Sequence, residues 1–315
     1  MPHRLRYRRL EGRVAIVTGA GAGLGRAHAL ALAEHGAKVV VNDLGGSTDG
    51  TGQGSAAADQ VVSQILAAGG EAVAEYSSVA DPGSAARIVD AAISAWGRLD
   101  ILVNNAGVLR DRTIPNLTDE DIETVLDVHL KGSFSVSRAA YRVMKPAGFG
   151  RIILTASGAG FFGAAGQANY SAAKGGIAGL SRALAVEGAR YGITSNCLAP
   201  LAQTRLTGDA FGPLGAALQP ELISPLVVFL ASPTTTVTGE VFSAGGGRFA
   251  RIFTAYTPGV LLNAGAGPTT ADEIEAHLTE ILDVDGYTVP ASSAEEVMTL
   301  VGQLAGHSGP ASVAD

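Results

Sequence analysis

The first part of the chain contains a strand-like run followed by a glycine-rich turn. Residues 13–17, RVAIV, are rich in β-branched side chains, and a glycine then occupies every second position from Gly19 to Gly25. Residues 26–35, rich in Ala and Leu, have the composition of a helix. Glycines in such a unit allow a tight turn, a close approach of the backbone to a pyrophosphate, and close packing of helix on strand. An isolated glycine-rich stretch is often only a turn, so the order strand, turn, helix carries the prediction of a dinucleotide site.

The same alternation of apolar runs and helical segments continues along the chain. Further strands are predicted at residues 37–42, 71–76, 99–103, 150–155, 192–198 and 238–245, and further helices at 59–68, 84–96, 118–144, 168–190 and 221–231. Continuous apolar strands alternating with helices indicate a parallel sheet that is covered on both faces. We therefore expect an α/β fold, a doubly wound, Rossmann-like parallel sheet.

Beyond about residue 248 the pattern changes to two amphipathic helices. Thr270 with Glu273, and Ser293 with Glu296, have the spacing of helix-capping boxes. Apolar residues follow each cap at helical spacing, but neither segment contains a group of chemically active side chains. The sequence thus predicts two domains, a dinucleotide-binding domain over residues 1–248 and a C-terminal helical extension over residues 249–315.

Composition and charge limit the class of protein. A net charge of −7 argues against a nucleic-acid partner, which would require a basic face. No apolar run is long enough to span a membrane, and no metal site is expected. The single cysteine, Cys197, cannot form an internal disulfide, which suits a reducing compartment. We therefore expect a cytoplasmic location.

Asp43 lies at the end of the second predicted strand, 18 residues beyond Gly25. A carboxylate there accepts hydrogen bonds from the adenosine ribose diol and repels a 2′-phosphate. Ala22 lies where a cation would favour the phosphorylated cofactor, so both positions favour NAD over NADP. The alternative is that Asp43 only caps a turn before Gly45.

Tyr170 and Lys174 are four residues apart on a predicted helix, and Ser157 lies 13 residues before Tyr170. Removing a hydride from an alcohol requires a base for the hydroxyl proton, and free tyrosine ionises only near pH 10. A neighbouring ammonium group would lower the pKa of the phenol, and a serine hydroxyl would hold the substrate oxygen. An isolated Tyr–Lys pair at this spacing usually lies on a solvated helix face, so the combination with Ser157 and the glycine turn carries the prediction.

These motifs, together with Asn104-Asn105-Ala106-Gly107, resemble those of the short-chain dehydrogenase/reductase family over roughly residues 11–247. The resemblance implies that Ser157 binds substrate, Tyr170 is the acid/base, and Lys174 supports Tyr170 and the nicotinamide ribose. It also implies an NAD site over a larger set of residues. The predicted cofactor-binding residues are Gly19, Gly23, Leu24, Gly25, Asp43, Ser78, Val79, Asn105, Ala106, Gly107, Tyr170, Lys174, Ala202, Gln203 and Thr204.

His129 departs from the wider family, which mostly has an asparagine there that holds a proton-relay water. Within the family, the stretches NNAGVLRDR, VHLKGSF and GQANYSAAKGG resemble (3R)-hydroxyacyl-CoA dehydrogenase units of peroxisomal type-two multifunctional enzymes, which also carry this histidine. His129 is therefore either a catalytic relay residue or purely structural.

The subfamily resemblance implies NAD-dependent oxidation of a (3R)-hydroxyacyl-CoA in fatty-acid or sterol side-chain β-oxidation. The Gly-rich, apolar loop over residues 208–220 favours an acyl chain or a steroid over a sugar. A CoA moiety would require cations near the opening, and Arg110, Arg112, Arg205 and Arg248 are candidates. Open alternatives are a hydroxysteroid dehydrogenase, a ketoacyl reductase and an inactive nucleotide-binding scaffold. Paired long helices in the family imply a homodimer.

Overall fold

A computed structural model describes residues 9–208, 211–263 and 267–307 of the chain. In the described residues, eight strands form one sheet. The strands are β1 (Val14–Thr18), β2 (Lys38–Asn42), β3 (Glu71–Glu75), β4 (Ile101–Asn104), β5 (Gly150–Thr155), β6 (Ile193–Pro200), β7 (Val241–Gly245) and β8 (Arg248–Ile252).

The strand order is β3-β2-β1-β4-β5-β6-β7-β8, and every pair is parallel except β7 with β8. The order reverses between β1 and β4, which lie side by side although β2 and β3 separate them in sequence. Ligands of such sheets bind outside the carboxyl ends of the strands at this reversal. The topology confirms the expected doubly wound fold and fixes the edge at which a site is expected.

Helices cover both faces of the sheet. They are α1 (Gly23–Glu34), α2 (Ala56–Ala67), α3 (Ser84–Trp96), α4 (Asp119–Leu126), α5 (Ser133–Ala147), α6 (Ala159–Phe162), α7 (Ala168–Gly188) and α8 (Ser224–Ala231). In the described residues after β8, the chain also forms α9 (Ala271–Ala276), α10 (Leu278–Ile281) and α11 (Ser293–His307). Consecutive strand residues face opposite cores: Val39 packs on one side and Val40 on the other, and both are fully buried. Burial of both faces explains why the strands are continuously apolar.

The predicted helical region 118–144 is not one regular helix. A π-helical segment, Asp127–Gly132, separates α4 from α5 and contains His129. Such i→i+5 turns are rare and often mark functional sites. Hydrophobic spacing alone does not reveal this break, because a π turn inserts only one extra residue.

Residues 248–252 form β8, a strand that the sequence analysis did not predict. Contacts divide the chain into two compact units, of which the first ends at Ile252 and the second begins at Phe253. In the second unit, Thr270 and Glu273 form the expected capping box at the start of α9. Within this unit, the Gln303 amide donates to the Pro258 carbonyl at 3.0 Å, and the Phe253 and Tyr287 rings stack at 5.7 Å.

Candidate active site

A cleft of about 450 Å³ lies at the carboxyl ends of the parallel strands. It is in the size range of small-molecule sites. The predicted residues that line it are Gly19, Gly23, Leu24, Asp43, Ser78, Val79, Asn105, Ala106, Gly107, His129, Ser157, Tyr170, Lys174, Ala202 and Thr204. The fold therefore brings residues from both halves of the sheet into one cleft.

Two predicted cofactor residues, Gly25 and Gln203, do not line the cleft. A Cβ at Gly25 would lie 2.1 Å from the Gly19 carbonyl oxygen, so this glycine serves the packing of α1 on the turn. The Gln203 carboxamide packs against Gly215, where a Cβ would lie 2.7 Å from its oxygen. The Gln203 amide nitrogen donates to the Gly208 carbonyl, so this side chain is directed at Gly208 and Gly215 and not into the cleft.

The glycine turn is shaped by close backbone contacts. Gly19 has a φ of +62°, and a Cβ on it would lie 2.7 Å from Ala106 Cα. A side chain on Gly19 would collide with the loop after β4, so glycine is required where the turn leads into α1. The first backbone N–H groups of a helix attract anions, so the turn could hold a pyrophosphate, which stays a prediction.

Asp43 connects the turn with the segment that follows β2. Its carboxylate accepts hydrogen bonds from the backbone N–H of Gly21 and of Gly45, both at 2.7 Å. Asp43 also lines the cleft, so its remaining lone pairs face the space that a ribose diol would occupy. The turn-capping and cofactor-binding interpretations of Asp43 are compatible.

Asn105 ties β4 to the glycine turn. Its side-chain amide donates to the carbonyls of Thr18 and Gly19, both at 3.1 Å. The Thr18 hydroxyl accepts from the backbone N–H of Asn105 and of Ala106. Asn105 therefore holds the two sides of the strand reversal together, and its neighbours line the cleft.

The three predicted catalytic side chains meet in this cleft. Ser157 follows β5, while Tyr170 and Lys174 lie one turn apart on α7. The Lys174 Nζ lies 5.5 Å from the Tyr170 ring centroid and donates to the Thr155 carbonyl at 2.5 Å. The spacing in the sequence thus corresponds to a real cluster.

Burial dominates the electrostatics of this cluster. It raises the pKa of Tyr170 above its usual value, although a hydrogen bond with Ser157 opposes the rise. Burial also lowers the pKa of Lys174 to about 7. The net direction at Tyr170 is therefore upward in this structure, and the Lys174 nitrogen donates to Thr155 rather than to the phenol. The support of Tyr170 by Lys174 stays a prediction.

His129 is buried between the π segment and the loop after β4. Its Nε2 lies 2.8 Å from the Val108 carbonyl oxygen and 3.1 Å from the Val108 backbone nitrogen. Burial, and secondarily Lys174, hold the pKa of His129 well below its usual value, so the ring is neutral. The ring packs edge-on against Tyr170 at 5.2 Å. Its Nδ1 is buried without a hydrogen-bond partner among the described residues.

Several lining residues were missed by the sequence analysis. The segment after β2 contributes Leu44, Gly46, Ser47, Thr48 and Gly50, and the segment after β6 contributes Leu206 and Thr207. Of the four arginines considered for CoA, Arg205 alone lines the cleft. The described residues of loop 208–220 do not line it, and Asp209 and Ala210 lie outside the described residues. The glycine-rich sequence GGSTDGTGQG was a signal for a loop, but not for its position.

Comparison with known proteins gives a consistent family. The family described as short chain dehydrogenase matches residues 13–210. A hydroxyacyl-CoA dehydrogenase, ChsB1, from Mycobacterium tuberculosis is 42% identical over 75% of this chain and 78% of its own length. The mouse peroxisomal multifunctional enzyme type 2 is 44% identical over 93% of this chain. This chain spans only 40% of the length of the mouse enzyme.

A solved structure agrees with the sequence relatives. The full-length peroxisomal multifunctional enzyme type 2 from Drosophila melanogaster superposes with a TM-score of 0.81 at 38% identity, covering 96% of this chain and 50% of that chain. The expectation of a cytoplasmic location is contradicted by these comparisons, because the mouse and Drosophila proteins are named as peroxisomal enzymes. The single cysteine could not identify the compartment, because a protein without disulfides can reside in more than one compartment. No helix in the described residues is long and apolar enough to cross a membrane.

Proposed function

This chain belongs to the short-chain dehydrogenase family, and from that premise we propose that it oxidises (3R)-hydroxyacyl-CoA to 3-ketoacyl-CoA with NAD. Membership makes the chain an oxidoreductase with a nicotinamide cofactor. The proposal for its chemistry depends chiefly on one observation. Ser157, Tyr170 and Lys174 lie in the same cleft as the glycine turn and Asp43.

The substrate class is inferred from a relative. The Mycobacterium tuberculosis protein, which this chain matches over most of both lengths, is named a hydroxyacyl-CoA dehydrogenase. Arg205 supports this class, since an arginine at the cleft suits the phosphates of CoA. Arg110 and Arg112 instead contact the Asp121 carboxylate, at 3.8 Å and 2.9 Å.

The preference for NAD is inferred from Asp43. Its carboxylate is held at the cleft by two backbone N–H groups, which fix its orientation. A ribose diol would donate to this carboxylate, whereas a 2′-phosphate would meet a like charge.

In the proposed mechanism, the Ser157 hydroxyl holds the substrate oxygen and Tyr170 exchanges the proton at its phenolic oxygen. A nicotinamide cofactor, held by the glycine turn, Asp43 and Lys174, would supply the acceptor for the hydride of the carbinol carbon. Lys174 places its nitrogen beside Tyr170 while donating to Thr155. Because burial raises the pKa of Tyr170, the phenol is protonated near neutral pH and oxidation is expected to accelerate as the pH rises.

The first experiment is an initial-rate assay of NAD⁺ reduction with the (3R) and (3S) forms of a 3-hydroxyacyl-CoA. A 17β-hydroxysteroid is tested in parallel as the alternative substrate, and NADP⁺ as the alternative cofactor. Preference for the (3R) thioester and NAD⁺ is expected. Turnover of the steroid alone, or a requirement for NADP⁺, would reject the proposed substrate or cofactor while leaving the family chemistry in place.

A matched pair of variants tests the role of the cleft. Tyr170→Phe removes the proton-exchanging hydroxyl and is expected to lower kcat at least 100-fold, within the range of general acid–base catalysis. Tyr191→Phe lies outside the cleft and is expected to retain activity. Equal activity of the two variants would contradict the assignment of Tyr170.

We also propose that the chain forms a homodimer. Phe134 on α5 and Val186 on α7 are about half exposed, and apolar surface on two long helices suits a subunit interface. Sedimentation of the purified chain as a monomer across its working concentrations would reject this proposal.

A further inference from the structure

The segment after β2 and the loop after β4 are joined by hydrogen bonds. We call residues 44–54 the adenosine-side loop, because it follows Asp43 and lines the cleft. The Arg110 Nε donates to the Asp49 carbonyl at 2.7 Å. The Leu109 backbone N–H donates to the Thr48 carbonyl at 3.0 Å. Residues more than 60 positions apart in sequence thus hold this loop in place.

The same arginine is joined to the catalytic helix through its backbone. The Asn169 amide nitrogen donates to the Arg110 carbonyl at 3.1 Å and to the Asp121 carbonyl at 3.2 Å. The Asn169 Oδ1 accepts the backbone N–H of Tyr170 at 2.8 Å. Asn169 is 4% exposed and makes three hydrogen bonds, so its side chain has little freedom to move.

Arg110 therefore occupies a position between two parts of the site. Its side chain binds the adenosine-side loop, and its carbonyl binds the residue that precedes Tyr170. Arg112, two residues further, also contacts Asp121, but it makes no hydrogen bond to the adenosine-side loop. The two arginines thus differ in whether the side chain contacts the adenosine-side loop.

We propose that Arg110 is a positioning residue that couples binding of the cofactor's adenosine half to the placement of Tyr170. The inference rests on the proposed function, because it assigns the Asp43 side of the cleft to the adenosine. An adenine nucleotide orders the adenosine-side loop, the loop holds the Arg110 side chain, and the Arg110 carbonyl holds Asn169 against α7. Coupling of this kind is reciprocal, so order at Tyr170 also favours the nucleotide.

Hydrogen–deuterium exchange tests the coupling without catalysis. ADP, which lacks the nicotinamide half, is added to the native chain and to Arg110→Met, Arg110→Lys and Arg112→Met variants. In the native chain ADP is expected to slow exchange in peptides over residues 18–25, 44–54 and 165–175. Arg110→Met is expected to keep protection at 18–25 and to lose it at 165–175. Arg110→Lys, which retains a hydrogen-bond donor, should recover part of the protection at 165–175. Arg112→Met should show the same protection as the native chain.

A kinetic measurement adds a second readout. With nicotinamide mononucleotide as hydride acceptor, added AMP is expected to raise turnover of the native chain about 5- to 150-fold, the usual range of coupling between sites. In Arg110→Met the same AMP is expected to raise it less than twofold. Equal activation in both would overturn the coupling, as would equal protection of residues 165–175 by ADP.

The two proposals fail in different ways. Absence of ADP protection at residues 18–25 in the native chain would reject the cofactor site itself. Protection at 18–25 without protection at 165–175 in the native chain would reject the coupling and leave the proposed function intact. Thermal unfolding of each variant shows whether a lost signal reflects a lost fold.

Discussion

Lys174 and Tyr170 show how burial changes the behaviour of single residues. Lys174 is 2% exposed, and its nitrogen donates to one backbone carbonyl rather than to a carboxylate. A buried ammonium group without a countercharge is costly, so the pKa of Lys174 falls to about 7. The site therefore holds a lysine that is partly neutral near physiological pH, at the expense of stability.

We predict that Lys174→Met raises the stability of the chain without nucleotide. The unfolded lysine binds its proton below pH 10.5, while the folded one binds it only below about 7. Between these values the unfolded state holds more protons, so the native chain gains stability as the pH rises from 7 to 10. The Lys174→Met variant lacks this gain. At pH 7.5 we expect its unfolding free energy to be higher than that of the native chain by about 1 kcal/mol or more.

Urea unfolding at pH 7.5 and pH 9.5 measures this difference. Lys145→Met, at an exposed position near the end of α5, is the matched control and should follow the native pH dependence. Parallel pH dependence of the native chain and Lys174→Met would show that the folded lysine is not desolvated.

We predict that Asp43→Asn weakens the preference for NAD. The amide keeps the shape of the carboxylate but has a single oxygen, so it accepts from Gly21 or from Gly45 but not from both, and without the charge it no longer repels a 2′-phosphate. Hydrogen bonds to charged groups contribute about 1.5–3 kcal/mol, so the ratio of kcat/KM for NAD⁺ over NADP⁺ should fall about 10- to 100-fold. An unchanged ratio would remove Asp43 from cofactor selection.

Secondary-structure elements determine where His129 lies. The π segment between α4 and α5 directs its ring towards Tyr170 and the backbone of Val108. Gly107 makes this possible, since a Cβ there would lie 2.4 Å from His129 Cε1. The glycine after β4 and the break in the helix are therefore two parts of one packing arrangement.

We predict that Gly107→Ala displaces the His129 ring and disturbs Tyr170. Overpacking of this kind costs about 1–3 kcal/mol, so the variant should unfold at a lower temperature and lose at least tenfold in kcat. Gly302→Ala, on α11, is the matched control, because a Cβ there meets no atom within 4 Å. If both variants keep native kcat and melting temperature, the tight packing of Gly107 on His129 is unimportant.

At the scale of the whole molecule, the strand order creates the cleft. All of its lining residues lie between Gly19 and Thr207, within the unit that ends at Ile252. That the first of the two predicted domains binds the dinucleotide and the second is an extension stays a prediction. The contacts place the boundary after β8, four residues beyond the predicted one at residue 248.

We predict that a chain ending at Ile252 folds and binds NAD with a Kd within about threefold of the full chain. The physical reason is that the first unit contains the whole sheet and the lining of the cleft. Calorimetric titration with NAD measures the affinity, and acyl-chain preference is compared in parallel. Aggregation of the truncated chain, or a tenfold weaker Kd, would assign the second unit a role in the cofactor site.

The sequence by itself determined the alternation of strands and helices, the glycine turn, Asp43 and the Ser157–Tyr170–Lys174 set. These features depend on local periodicity or on residue types at short spacing, which can be recognised from the sequence without the fold. Tertiary structure alone decided the pKa directions at Tyr170 and Lys174, the orientation of Gln203 and the bridge from Arg110 to Asp49. Burial and hydrogen bonds between residues 60 positions apart arise only when the sheet assembles, so no local pattern encodes them.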